Sequence, residues 1–113
     1  YYEDAAFSVL LNNNKFKMIY VGKAVIYHKE SRSVKKGSDD YQYYFVRNRL
    51  LFVERYIEKI YKPAARIYVR AFIFKGILTR NLKIENCIQA IYDFRRHHFG
   101  KRAINYDLVI KSI

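Results

Sequence analysis

Two adjacent carboxylates, Glu3 and Asp4, stand in the stretch Tyr2-Glu3-Asp4-Ala5-Ala6-Phe7-Ser8. An ionised carboxylate within reach of a hydroxyl takes up its proton as that oxygen attacks, which is the work of a general base. The same pair has a purely structural use. Acids at the front of a helix are stabilised by the unpaired amides and by the positive end of the helix dipole, so Asp4 also fits a helix cap. Ala6, Phe7, Val9, Leu10 and Leu11 follow at amphipathic spacing, which puts the pair at the mouth of a short helix on either account.

Few other residues offer chemistry. His97 and His98 are neighbours in a helical stretch and so diverge, which suits a solvated basic face better than a shared metal. His28 follows an apolar strand and opens a long polar loop, a position from which side chains meet ligands in open α/β sheets. Taken alone, it fits a hydrogen-bonded structural histidine better. The single cysteine, Cys87, lies in an apolar helical pattern and reads as a buried thiol. One cysteine excludes an intrachain disulfide and a cysteine zinc cluster. The 4 glycines are scattered, so no glycine-rich phosphate loop is present, and no Ser/His/Asp or Cys/His arrangement can be argued.

The elements that must position these groups form a mixed set. Asn12-Asn13-Asn14 is expected to stop the first helix, because asparagine tolerates the left-handed conformation of a helix stop. Met18–Val21 and Ala24–Tyr27 are β-rich runs around Gly22-Lys23, which predicts a tight β-hairpin or one long strand bent at Gly22. They are apolar on both faces and are expected to be covered on both. Lys29 to Asp40 is polar and reads as a loop, with Asp39 or Asp40 capping the next helix. That helix starts near Tyr41 and places Tyr44, Phe45, Asn48, Leu51, Phe52 and Arg55 near one face. It should end or kink before Pro63, the only proline. A second long helix is predicted from about Ala64 to Thr79. A third is expected with Ile84, Ile88, Ile91, Tyr92 and Phe94 apolar, capped by Asn81 and stopped by Gly100. The tail from Lys101 has a weak pattern and is expected to be irregular or a short strand. The fold class is therefore α+β and mostly helical: a short helix, a β-hairpin or bent strand, then three helices.

Three of these stretches occur together in a specific order. They are Tyr2-Glu3-Asp4, then Tyr20-Val21-Gly22-Lys23-Ala24-Val25-Ile26-Tyr27-His28-Lys29-Glu30-Ser31, then Tyr44-Phe45-Val46-Arg47-Asn48-Arg49-Leu50-Leu51-Phe52. Their order and spacing resemble the C-terminal half of family 2 glycosyltransferases: the Glu-Asp motif, the aromatic-His-Lys-x-Ser strand end and the Arg-Asn helix. The resemblance covers roughly residues 1 to 56, about half the chain. It implies the C-terminal part of a GT-A (Rossmann-like) domain, a nucleotide-sugar donor, a saccharide or lipid-linked acceptor, and inverting transfer. It implies catalytic roles for Asp4, as general base, and for Glu3. It further implies a Mn or Mg site completed by His28, and substrate contacts from Lys29, Ser31, Arg47 and Asn48. The chemistry is coherent, since inversion needs one carboxylate for the acceptor hydroxyl and a cation for the departing diphosphate. The family's nucleotide-binding half, with its Asp-x-Asp metal motif, corresponds to nothing in these residues. The fragment is therefore expected to be inactive alone, with no metal bound. Residues 1–40 read as the end of the catalytic domain and 41–113 as a basic, aromatic helical region.

Bulk composition bounds the partners. At 113 residues the chain makes one domain with one core, and 51% hydrophobic residues exclude a disordered tail. Without an initiating methionine, and with a motif at its first residues, it is expected to be a piece of a longer protein. The 22 Lys+Arg against 10 Asp+Glu leave +12, which attracts an anionic partner. Residues 55 to 83 interleave Lys and Arg with Tyr, Phe and Ile. That fits an ordinary solvated basic face over a core, or a peripheral platform on an anionic membrane. The apolar runs are short and broken by Lys or Arg, so no simple spanning helix is expected. The expected location is cytoplasmic, at the inner face of the cell membrane for the peripheral version. Two accounts of other classes stand beside the transferase. One is a basic nucleic-acid-binding module, which the spread of charge over three helices and the lack of any recognition signature disfavour. The other is a structural or oligomerisation module, and a truncated sheet edge predicts a homo-oligomer.

Overall fold

The computed structural model describes residues 2–27 and 34–103. It contains four helices in chain order: α1 (Glu3–Asn13), α2 (Asp39–Tyr56), α3 (Lys62–Leu78) and α4 (Ile84–Arg95). α2 is the central element. Tyr43, Val46 and Val53 from α2 meet Val69 and Ile73 of α3, Leu82 of the α3–α4 turn, and Cys87 and Ala90 of α4 in one buried cluster. α4 lies broadly along α2, while α1 touches α2 lightly. The mostly helical expectation holds.

The predicted β-hairpin is corrected. Residues 16–27 contain no strand. A turn does form at Gly22-Lys23, closed by the Ala24 amide donating to the Val21 carbonyl at 3.0 Å, but the flanks are not paired. Nor are they covered: Tyr20 is 93% and Tyr27 94% exposed. A two-stranded ribbon needs a third strand or a helix packed against it to persist in water, and no helix of the described chain lies over this stretch.

The helix ends also differ from expectation. Ser38 caps α2, its Oγ accepting from the Tyr41 amide at 3.2 Å, and Asp39 and Asp40 fall in the first turn, where their charge suits the dipole. α2 stops at Tyr56, well short of Pro63, which instead sits in the first turn of α3, where its missing N–H costs nothing. No side chain caps α4 at its N-terminus, so the expected Asn81 cap does not form.

The other three helices all stop in the same way. Lys15, Arg80 and His97 have φ of 60°, 59° and 58°. The amides of Phe16, Asn81 and His98 reach back to the carbonyls of Leu11, Gly76 and Asp93 at 3.0, 2.9 and 2.8 Å. These are Schellman stops with a long side chain where glycine is usual. The stopping residue of α1 is therefore Lys15 rather than an asparagine, and that of α4 is His97 rather than Gly100. Gly76 has a different task. A Cβ there would lie 2.5 Å from Leu82 Cδ1, so the glycine leaves the room into which the Leu82 side chain packs.

Cys87 is 1% exposed and burial pushes its thiol up to about 11, so it is an unreactive core residue, as its surroundings in the sequence indicated.

Candidate functional site

The carboxylate pair occupies the first turn of α1, and Tyr2 attaches that turn to the rest of the protein. The Tyr2 ring lies 5.6 Å from that of Phe52 and 6.0 Å from that of Phe45, centroid to centroid. Its hydroxyl accepts from Arg49 Nε. The Arg49 guanidinium in turn lies 3.9 Å from the Phe72 ring centre and 5.0 Å from that of Phe45. A cation held over ring faces is attracted by their quadrupoles, most strongly where water is excluded. Arg49 Nη1 is buried with no hydrogen-bond partner, so those rings are its surroundings.

This attachment creates a cleft of about 370 Å³ between α1 and α2. Tyr2, Glu3 and Ala6 form one wall; Arg47, Asn48, Leu51, Phe52, Arg55 and Tyr56 form the other, with Phe99 at the end. Asn48, Leu51, Phe52 and Arg55 are the face that the helical spacing had picked out. Glu3 thus shares a cleft with Arg47 and Asn48. Asp4 is exposed beside it and is not among the lining residues; its backbone carbonyl accepts from Ser8 Oγ at 2.8 Å. His28, Lys29 and Ser31 lie outside the described residues.

Arg47 forms the back of the cleft rather than a projecting contact. It is 4% exposed. Nη1 donates to the carbonyls of Gly100 at 2.8 Å and His98 at 3.2 Å, and to the Tyr43 hydroxyl at 3.2 Å. Nη2 donates to the Phe99 carbonyl at 3.1 Å, and Nε to Asn48 Oδ1 at 3.2 Å. A substrate contact through Arg47 requires an exchange of these bonds. Tyr43 donates to Asp93 Oδ2 at 2.6 Å, and burial together with that carboxylate pushes its phenol up to about 12.

Arg102 fastens the same segment further along. It donates to Asn86 Oδ1 at 2.7 Å, Gln89 Oε1 at 2.9 Å and Asp40 Oδ1 at 3.1 Å, so residues 98–102 run as a strap over α2 and α4. At its far end Phe99 meets Arg55, whose guanidinium lies 5.4 Å from the ring centre. Arg55 and Tyr56 also line a second, wider depression of about 820 Å³ with Asn12, Asn13, Lys59 and Lys62. The contacts of Tyr2, Arg49 and Phe99 are not legible in the sequence. Only the aromatic excess hinted at them, because the pairs are formed across long sequence separations.

Among the described residues no group of three or more His, Cys, Asp or Glu side chains could hold a metal ion. No described helix is long and apolar enough to cross a membrane. No family model, curated protein or solved structure matches the chain.

Proposed function

We propose that this chain is the C-terminal part of an inverting, GT-A type glycosyltransferase that moves a sugar from a nucleotide-sugar donor to a saccharide or lipid-linked hydroxyl. What supports this is one juxtaposition: Glu3 lines the same cleft as Arg47 and Asn48, residues brought together from two of the three motifs. In the reaction the acceptor oxygen attacks the anomeric carbon from the face opposite the diphosphate. Asp4 takes the hydroxyl proton as the new C–O bond forms, and the bond to the diphosphate breaks with its electron pair leaving on oxygen. Glu3 lines the acceptor side of the cleft, and Asn48, oriented by Arg47 Nε, offers its carboxamide to a sugar hydroxyl. A Mn or Mg ion belongs to the proposal through the resemblance at His28. The described residues do not form a site for it on their own.

The test is product stereochemistry. The intact parent protein is incubated with a panel of nucleotide sugars and simple acceptors, and the product anomer is read by NMR. Release of nucleoside diphosphate with an inverted linkage is expected. A retained anomeric configuration, or no transfer from any donor, overturns the proposal.

A further inference from the structure

α3 carries two opposed apolar stripes. Val69 and Ile73 face the core. The second stripe, Pro63, Ile67, Ala71, Phe74 and Leu78, recurs every three or four residues and points outward: Ile67 is 66%, Phe74 64% and Leu78 67% exposed. Ile60, before the helix at the α2–α3 corner, is also exposed. An outward stripe of large apolar side chains along the whole 17-residue helix, about 25 Å at 1.5 Å per residue, is costly to leave in water.

Its borders are basic. α3 contains Lys62, Arg66, Arg70 and Lys75 and no acidic residue. Arg66 turns inward to Glu54, with bonds of 2.7 and 2.8 Å. At helical spacing Arg70 and Lys75 flank the stripe on opposite edges, and no ion pair among the described residues involves either. A second copy pairing through this face would bring like charges together along both edges of the contact. A nucleic acid would find the charges separated by aliphatic and aromatic surface. An apolar strip with cations on both sides matches a bilayer interface, where the strip enters the acyl boundary and long basic side chains reach back to phosphates.

We infer that the outer face of α3 docks in the plane of an anionic lipid surface, with Ile67, Phe74 and Leu78 inserted and Arg70 and Lys75 on lipid phosphates. None of these residues lines the α1–α2 cleft, so membrane docking and sugar transfer are independent of each other.

The test is sedimentation of the chain with phosphatidylcholine vesicles, with and without phosphatidylglycerol. Binding is expected only when phosphatidylglycerol is present. The pair Arg70→Gln and Lys75→Gln should lower the partition coefficient about 30-fold, at roughly fivefold per basic residue. The triple change Ile67→Ser, Phe74→Ser and Leu78→Ser should lower it at least about tenfold, with an unchanged melting temperature because all three side chains are exposed. Lys35→Gln with Lys36→Gln removes the same charge from an exposed loop and should change little. The chain has no tryptophan, so Phe74→Trp should report insertion by a blue shift on the anionic vesicles. Several results overturn the inference: no vesicle binding, equal binding to phosphatidylcholine alone, an equal loss from the Lys35/Lys36 pair, or a wild-type dimer that the triple change dissociates.

Discussion

The Tyr2 hydroxyl accepts a hydrogen bond from Arg49 Nε, 47 residues further along the chain. With the Phe45 and Phe52 rings against it, Tyr2 is the main attachment of α1 to the helical body. Tyr2→Ala should therefore release α1 without unfolding the rest. The expected outcome is loss of amide hydrogen-exchange protection over residues 3–13, with protection in α2 and α4 retained. A uniform fall in protection across the protein would show that Tyr2 is not a local tether.

Arg47 fixes the other wall. Its guanidinium is buried and bonded to three successive carbonyls after α4, so Arg47→Ala leaves several buried acceptors without donors and should cost about 3 kcal/mol of stability in a urea melt. Arg47→Lys should recover little of this, because an ammonium cannot present the planar fork that spans His98, Phe99 and Gly100. Full recovery by lysine would mean that charge alone matters there.

The ends of α3 and α4 offer changes in the opposite direction. Arg80 and His97 hold φ near +60°, which costs an L-residue about 1 kcal/mol and a glycine nothing. Arg80→Gly and His97→Gly should each raise stability by about 0.5–1 kcal/mol in thermal or denaturant melts. A decrease would indicate that these side chains make stabilising contacts outweighing the backbone gain.

Alkaline pH should weaken the fold through Tyr43. Its phenol is pushed up to about 12 from an ordinary value of 10, because burial and the Asp93 carboxylate disfavour the phenolate. A group whose folded pKa is raised contributes stability fully below its unfolded pKa and loses it as pH rises through the folded one. The loss should develop between about pH 10 and 12 and reach about 3 kcal/mol. Tyr43→Phe should remove this alkaline step while lowering stability at neutral pH, since it removes the hydroxyl that donates to Asp93 and accepts from Arg47.

The helices α2, α3 and α4 were legible from apolar residues at helical spacing, but the buried face of α3 was not: Val69 and Ile73 enter the core, while the equally apolar Ile67, Phe74 and Leu78 are exposed. The stripe from Asn48 to Arg55 that lines the cleft was legible. The run Met18 to Tyr27 misled because its residue types favour strands while strand formation depends on neighbours, and no described helix covers it. Arg47 was legible as a motif residue but not as a buried clamp, because its acceptors lie 51 to 53 residues away. The stops at Lys15, Arg80 and His97 were not legible at all. In each, the left-handed residue is one whose type gives no sign of it, and the backbone bonds that close the helix compensate for the strain.

The most direct measurement compares Asp4→Asn and Glu3→Gln in the intact parent, reading sugar transfer and nucleotide-sugar binding on the same samples. With Asp4 as the base, Asp4→Asn should lower the transfer rate at least about 100-fold while the donor Kd stays unchanged. Glu3→Gln should weaken use of the acceptor with a smaller loss of rate. Turnover retained in Asp4→Asn would contradict the account, because Asp4 would then not be the group taking the acceptor's proton.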